Sequence, residues 1–387
     1  MRPRFLLAAL VLPLPFVFLG PNESRHGGGL HADPTRCAGA KVHAHSRLSK
    51  PDPAPASREF ATAVAPKRDR RKPAEHVILV VIDGVKWQDV FGQTDDTVDA
   101  MPTLQRWMNV DGAVIGAPGV GAPMRATGPN WVSLPGYVEL FTGRMSPCQA
   151  NECTLPRLDT FVDDLQGSSA IVSSWEAIGP IVHTKGTSIS AGRHYRVGTF
   201  TADTQTAIDA AKNADPYPGL WDYRPDALTA DVAIAVLRKR EPQFLFVGLG
   251  ETDEYAHRGE REGYVAAMRN ADAFLERLDE TLRDEGLASS TAILVTTDHG
   301  RADSFRDHGW PWPESKRVWL VAKGAGIEAR GAIVAPEERR LANVAPTIRR
   351  LLGATHGSEE TDEAEPMTEL LQEHVAPVDL DELALSQ

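Results

Sequence analysis

The sequence predicts an α/β protein with a mainly parallel central sheet and helices on both faces. Three observations carry this. Residues 76–82, His76-Val77-Ile78-Leu79-Val80-Val81-Ile82, form an aliphatic run without polar alternation, the texture of a strand buried on both sides. Runs of similar texture recur at 170–172, 244–249, 292–297 and 318–322. Helical patterns lie between them. The clearest covers 263–283, with Val265, Met268, Ala271, Leu275, Leu278 and Leu282 three or four residues apart. Strands that alternate with helices build a parallel sheet with helices packed on it.

In chain order, the first expected element is an export signal or N-terminal anchor over residues 1–20. Arg2 and Arg4 precede an apolar run at 6–19 that is short for a membrane span. The protein is therefore expected to be exported: periplasmic, secreted, or held at a membrane by an uncleaved N-terminus alone. Residues 21–74 read as a disordered basic linker, rich in Gly, Pro, Ala and Lys/Arg with no apolar period. Residues 75–355 hold the strand and helix patterns, including further helices at 226–239 and 341–352. Residues 356–387 carry ten acids and no Lys or Arg, and read as an acidic mobile tail in which 367–371 has the apolar content for a short docking turn.

Composition narrows the class. The chain has 387 residues, 42% hydrophobic and 24% charged, as in ordinary globular proteins. A net charge of -12 argues against a nucleic acid polymer as partner. Three cysteines are too few for a disulfide scaffold or a cysteine zinc cluster. If the chain is exported, Cys148 and Cys153 are placed to close a small disulfide loop. Two free thiols are the alternative.

In open α/β sheets ligands bind beyond the carboxyl ends of the strands. The strand at 76–82 ends in Asp83-Gly84. The strand at 244–249 runs into Gly250-Glu251-Thr252-Asp253, with His257 four residues later. The strand at 292–297 ends in Asp298-His299-Gly300, and His308 comes shortly after. Each alone has an ordinary explanation: a helix cap, an i,i+4 surface pair, a solvated loop histidine. Together, three strand ends deliver three Asp and three His, a donor set suited to a zinc-like ion or a pair of ions. A pair about 4 Å apart suits in-line displacement at phosphorus. Ser133, just before Leu134-Pro135-Gly136 and an apolar helical stretch to Thr142-Gly143, is a candidate nucleophile in the positive field of a helix N-terminus. On this segment alone a helix N-cap serine is the better account.

The combination resembles the alkaline phosphatase superfamily, most closely its type I phosphodiesterase/nucleotide pyrophosphatase branch. The resemblance covers about residues 76–353. It rests, in order, on Val81-Ile82-Asp83-Gly84-Val85, on Ser133 through Thr142-Gly143, and on Asp253 to His257. It continues through Thr297-Asp298-His299-Gly300, Asp307-His308-Gly309, and Ala345-Pro346-Thr347 with Leu351-Leu352-Gly353. It implies a three-layer α/β/α sandwich and two divalent metal ions, zinc in most members. One site would use Asp253, His257 and His308, and the other Asp83, Asp298, His299 and the Ser133 oxygen. It further implies hydrolysis of a small-molecule phosphate ester, mono- or diester, through a phosphoseryl intermediate on Ser133.

Several positions depart from that pattern. Diesterases of the branch often carry Asn three residues after the nucleophile, where this chain has Gly136; Asn130 is a candidate substitute. Arg125 and Arg144 are candidates for the arginine that monoesterases place over phosphate. A sulfatase is the alternative within the superfamily, but its C/S-x-P-x-R motif meets Tyr137 in place of Arg. A mutase would need a cap insertion, and no separate domain is apparent in 150–243. A non-catalytic metal-binding protein on the same fold is the alternative outside enzymology. Trp310-Pro311-Trp312-Pro313, directly after His308, offers aromatics either to a ligand or to loop packing.

Overall fold

The computed structural model describes residues 73–355 and 362–372. The expected export signal and all but the last two residues of the expected linker lie outside them. Eleven strands are described: β1 (His76–Ile82), β2 (Gly112–Ile115), β3 (Met124–Arg125), β4 (Ser169–Ser173), β5 (Ser188–Ala191), β6 (Tyr195–Val197), β7 (Phe244–Leu249), β8 (Thr291–Thr296), β9 (Arg317–Val318), β10 (Leu320–Gly324) and β11 (Gly331–Ala332). The helices are α1 (Trp87–Val90), α2 (Pro102–Arg106), α3 (Ser133–Thr142), α4 (Ala202–Lys212), α5 (Asp226–Arg240), α6 (Glu251–Arg258), α7 (Arg261–Asp284) and α8 (Val344–Leu352).

Nine strands form one sheet in the order β11-β2-β10-β8-β1-β7-β4-β5-β6. Its centre, β8-β1-β7-β4-β5, is parallel throughout. Strands β10 and β6 enter antiparallel. β3 and β9 make a separate two-stranded antiparallel pair.

Alternate residues of β1 explain the layers. Val77, Leu79 and Val81 face a core with Leu134, Val138 and Phe141 of α3 and Ile348 and Leu351 of α8. Ile78, Val80 and Ile82 face a second core with Val232 and Val236 of α5 and Val265, Met268 and Leu275 of α7. Both faces of β1 are dry, which is why its sequence shows no alternation. The result is a three-layer α/β/α sandwich with a mainly parallel sheet.

The stretch 150–243 is not an insertion beside this body. It supplies β4, β5 and β6 to the sheet and α4 and α5 to one face. The acidic C-terminal stretch is also not wholly a mobile tail. Within 362–372, Met367 and Leu370 are fully buried, and Ala364 N–H donates to the Gly143 carbonyl at 3.0 Å. Glu369 and Arg339 form a two-pronged pair at 2.7 and 2.8 Å. Apolar anchors outweigh the net charge of the segment, and its acids find arginines. Likewise Ala74 is buried, with its N–H on the Leu351 carbonyl, so the ordered body begins slightly before residue 75.

Candidate metal centre and nucleophile

β1 sits between β7 and β8 in register, Ile82 opposite Leu249 and Val81 opposite Thr296. The three strand ends are therefore neighbours, and the segments leaving them converge. Asp83 continues β1, with its N–H on the Leu249 carbonyl at 2.9 Å. Gly84 then turns with φ 57°, where any side chain would collide with the Asp253 carboxylate, so only glycine fits. Gly84 N–H donates to Asp298 Oδ1 at 3.1 Å, and Thr252 Oγ1 donates to the Asp83 carbonyl. The ends of β1, β7 and β8 are thus laced together before any ion is considered.

Two clusters result: Asp253, His257 and His308, and Asp83, Asp298 and His299. In each, one ligand atom per residue lies within 4.8 Å of the others. Asp253 and His257 share one face of α6, with His257 Nε2 3.0 Å from Asp253 Oδ2. His308 completes the set: its Nε2 lies 2.9 Å from His257 Nε2 and 3.7 Å from Asp253 Oδ1. In the second cluster, His299 Nε2 lies 3.4 Å from both Asp83 Oδ1 and Asp298 Oδ2. The carboxylate of Asp253 stands between the clusters, with its Oδ1 4.0 Å from His299 Nε2.

Several features fit these residues to divalent cations. His299 Nδ1 faces the Gly300 carbonyl at 2.7 Å and His308 Nδ1 faces the Trp131 carbonyl at 3.2 Å. Each carbonyl can only accept, so it fixes the proton on Nδ1 and leaves the Nε2 lone pair aimed into its cluster. Burial holds His308 well below, and His299 below, the ordinary imidazole range, which keeps them neutral as ligands must be. Burial, aided by the neighbouring Asp298, holds Asp83 well above the usual carboxylate range, and burial pushes Asp298 up to about 7. Asp298 Oδ2 is buried with no hydrogen-bond partner among the described residues. A cation supplies what is missing: positive charge for crowded carboxylates and a partner for the orphaned oxygen.

Ser133 is the first residue of α3, and the preceding Val132 occupies the cap position. Its hydroxyl is not spent on capping. Oγ lies 3.2 Å from His299 Nε2 and 3.5 Å from Asp83 Oδ1. Four residues on, Tyr137 Oη donates to Asp83 Oδ2 at 3.0 Å. One helix therefore presents the hydroxyl and holds a carboxylate beside it. Arg301, fully buried, donates to Asp253 Oδ1 and to the Gly84 carbonyl. Behind α6, Asp226 accepts from Gly250 N–H at 2.9 Å and Glu251 N–H at 3.0 Å, while Glu251 Oε1 accepts from Asp226 N–H at 2.9 Å. The two acids cap each other's helices. Asp226 also accepts from Ser174 and Tyr223. Burial raises both carboxyls, Glu251 to about 8 with the neighbouring Asp226 adding to the rise.

A cavity of about 330 Å³ opens over Asp83, Ser133, Asp253 and His257. Its other lining residues are Asn151, Glu152, Trp175, Leu220, Asp222, Tyr223, Gly250 and Glu254. The four substrate-contact candidates are not among them. Gly136 packs against the Asp298 carbonyl, where a Cβ would collide, so this position serves helix–strand approach. Asn130 is occupied by loop contacts, its Oδ1 accepting from Trp310 N–H at 2.7 Å and its Nδ2 donating to the Gln149 carbonyl. Arg125 pairs with Glu338 at 2.7 Å, and Arg144 with Asp362 at 2.9 Å. Trp310 is exposed and also outside the cavity.

Among the residues that sequence reasoning missed is Asn151. It reaches the cavity from a loop closed by a Cys148–Cys153 disulfide, and its Oδ1 accepts from Leu134 N–H at 3.0 Å. The paired cysteines were the available signal, since a short closed loop after α3 has to pack on something nearby.

The chain is similar to known proteins in part of its sequence and in its fold. Residues 206–356 match the family model described as Metalloenzyme superfamily. A 2,3-bisphosphoglycerate-independent phosphoglycerate mutase from Nostoc punctiforme is 26% identical over 156 residues, covering 36% of this chain and 27% of the relative. The chain thus matches about a quarter of that relative's length. Among solved structures, the wild-type alkaline phosphatase PafA superposes with a TM-score of 0.57 at 11% identity, over 77% of this chain and 99% of that one. The 2-O GAG sulfatase BT1596 gives 0.54 at 13% identity, over 77% and 74%. Over residues 206–356 the chain is similar to the Metalloenzyme superfamily, and its fold is that of the alkaline phosphatase PafA and the sulfatase BT1596.

Proposed function

We propose that the protein is an exported hydrolase of phosphodiesters, with Ser133 as nucleophile and Asp83, Asp253, His257, Asp298, His299 and His308 as the ligands of two divalent ions, zinc being the ion this Asp/His set suits best. One observation carries the reading: a serine hydroxyl whose near neighbours are His299 Nε2 and Asp83 Oδ1, on the floor of a cavity that opens to substrate. The ions, when bound, lower the pKa of the serine hydroxyl and stabilise negative charge on the departing oxygen.

The remaining duties fall on the chain. α3 holds Oγ at its N-terminus, where the helix field favours an anion and the phosphate itself. Ser133 Oγ bonds to phosphorus as the bond to the leaving alcohol breaks, and the serine proton ends on that alcohol. Water then bonds to phosphorus as the Oγ–P bond breaks, and a water proton returns to Ser133. Asn151, with its carbonyl occupied by Leu134 N–H, is left with its amide N–H₂ for a phosphate oxygen. Among the described residues, no Lys or Arg lines the cavity. This favours a singly charged diester over a doubly charged monoester. Tyr137 bonds to Asp83 and stands where a sulfatase would carry arginine, which speaks against the sulfatase alternative. The placing of β4, β5 and β6 in the main sheet leaves no cap domain among the described residues, which speaks against mutase chemistry. The disulfide supports an oxidising compartment.

The test is turnover of bis-p-nitrophenyl phosphate, p-nitrophenyl phosphate and p-nitrophenyl sulfate by zinc-loaded protein, beside Ser133→Ala. The diester is expected to be the best substrate, with a loss on the order of 10³-fold or more in the variant. A monoester preference would make it a phosphatase. Turnover of the sulfate alone would sink the reading. Absence of any turnover by fully metallated protein would favour a binding role.

A further inference from the structure

Outside the two metal clusters, every charged side chain that lines the cavity among the described residues is a carboxylate: Glu152, Asp222 and Glu254. A cavity that receives a phosphate anion is usually lined with cations, so three acids on its other wall need a reason. Arg258, on the same helix as Glu254, is turned elsewhere: its Nε donates to the Pro218 carbonyl at 2.6 Å, and its guanidinium lies 4.9 Å from the Tyr217 ring centre.

Beside these acids stands apolar surface. Trp175 lines the cavity with its indole N–H already given to Asp222 Oδ2 at 3.1 Å, so it offers a ligand its π-system and not its donor. Leu220, 62% exposed, adds aliphatic surface to the lining. Carboxylates interleaved with an aromatic and an aliphatic side chain match a group that is both positive and clad in carbon. That describes an alkylated ammonium better than a hydrated metal ion or a sugar.

We infer that the substrate of this site is a phosphodiester with one ester arm carrying an ammonium group, seated between Trp175 and the carboxylates of Asp222 and Glu254, with Glu152 adding to the negative field. The inference rests on the phosphodiesterase reading and adds the chemistry of the substrate arm. The site matches the two ends of such a molecule: metal ions and Asn151 for phosphate, acids and Trp175 for ammonium. An anionic arm, as in a nucleoside phosphate, meets repulsion from the same wall.

The deciding experiment compares two diesters of one shape on the zinc-loaded protein. The first is p-nitrophenyl phosphorylcholine. The second is p-nitrophenyl 3,3-dimethylbutyl phosphate, in which carbon replaces the quaternary nitrogen. The charged ester is expected to have a kcat/KM at least about 10-fold higher, mainly through KM, with the preference shrinking as salt is raised. In Glu254→Gln, and separately in Glu152→Lys, the ratio within each variant should fall toward one. Because both esters are measured on the same preparation, partial misfolding lowers both rates and leaves the ratio intact. Glu152 is exposed, so that variant carries little folding risk. A ratio of one or below in the unmodified protein, with bis-p-nitrophenyl phosphate still hydrolysed, overturns this inference alone. No hydrolysis of bis-p-nitrophenyl phosphate or of either ester overturns the phosphodiesterase reading with it.

Discussion

Tyr137 and Glu139 show how much one helix can arrange with single residues. Tyr137 is buried, packs edge-on against Phe246 with ring centres 6.0 Å apart, and gives its hydroxyl to Asp83. Tyr137→Phe keeps that packing and removes the hydrogen bond. It is expected to weaken zinc binding at the Asp83 cluster by about 10-fold or more, as losses of ligand-orienting partners do. A competition titration against a chromophoric chelator measures this, and unchanged affinity would leave Tyr137 a packing residue only. Glu139 is buried two residues further on, where its carboxylate accepts from Thr127 N–H and Oγ1 and from Ala342 N–H. Burial nevertheless pushes it up to about 7. Below its ordinary pKa near 4.5 both states hold the proton and Glu139 adds no pH dependence. Between about 4.5 and 7 the unfolded chain ionises first, so stability falls as pH rises, by up to roughly 3 kcal/mol. The difference in unfolding free energy between Glu139→Gln and the unmodified protein should therefore shift in favour of Gln from about pH 5 to about pH 7.5. A flat difference would show that Glu139 ionises at its ordinary pKa. The gathering of the six proposed ligands could be read from sequence because each comes soon after a strand end. Tyr137, Arg301 and Asn151 could not, because their roles depend on which distant atoms they meet.

The same contrast holds for elements. β1, β7 and β8 were legible because strands buried on both faces have an unmistakable apolar texture. α7 was legible because one long face repeats every three or four residues. Expected and observed ends agree within about two residues for these, while the run at 318–322 proved to be two strands, β9 and β10, split at Trp319. β5, β6 and α4 gave no usable signal. β5 and β6 are short and lie toward the edge of the sheet, and α4 buries only Thr204, Ile208 and Ala211, so its apolar face is thin. α6 illustrates a dependence that sequence hides: it has eight residues, and its first N–H groups are satisfied by Asp226 from another helix. Asp226→Asn removes one acceptor from that cap. It is expected to cost about 1–3 kcal/mol in denaturant unfolding and to weaken metal binding through Asp253 and His257. A variant with unaltered midpoint and affinity would mean that α6 is held by its packing alone.

For the whole molecule, the fold class and the layer order came from the alternation of strands and helices. The division into core and tail was less legible. Charge made the C-terminal stretch resemble solvent-exposed chain, and only the apolar content of 367–371 hinted at docking. If the ions brace the three strand ends, their removal should be felt globally. Chelation is expected to lower the melting temperature by about 5–10 °C, reversibly on return of zinc, since ligands that bind only the native state contribute about 3 kcal/mol at a hundredfold excess over Kd. Differential scanning calorimetry with and without chelator tests this; no shift would argue against occupied metal sites in the native protein.

The lacing of β1, β7 and β8 ends has one more consequence. The ligands it gathers run from Asp83 to His308, so more than two hundred residues must be in place before the two clusters are complete. No short stretch of nascent chain can hold an ion in transit with this geometry, apart from the single turn that pairs Asp253 with His257. Binding of an ion by both clusters therefore has to follow folding of the chain.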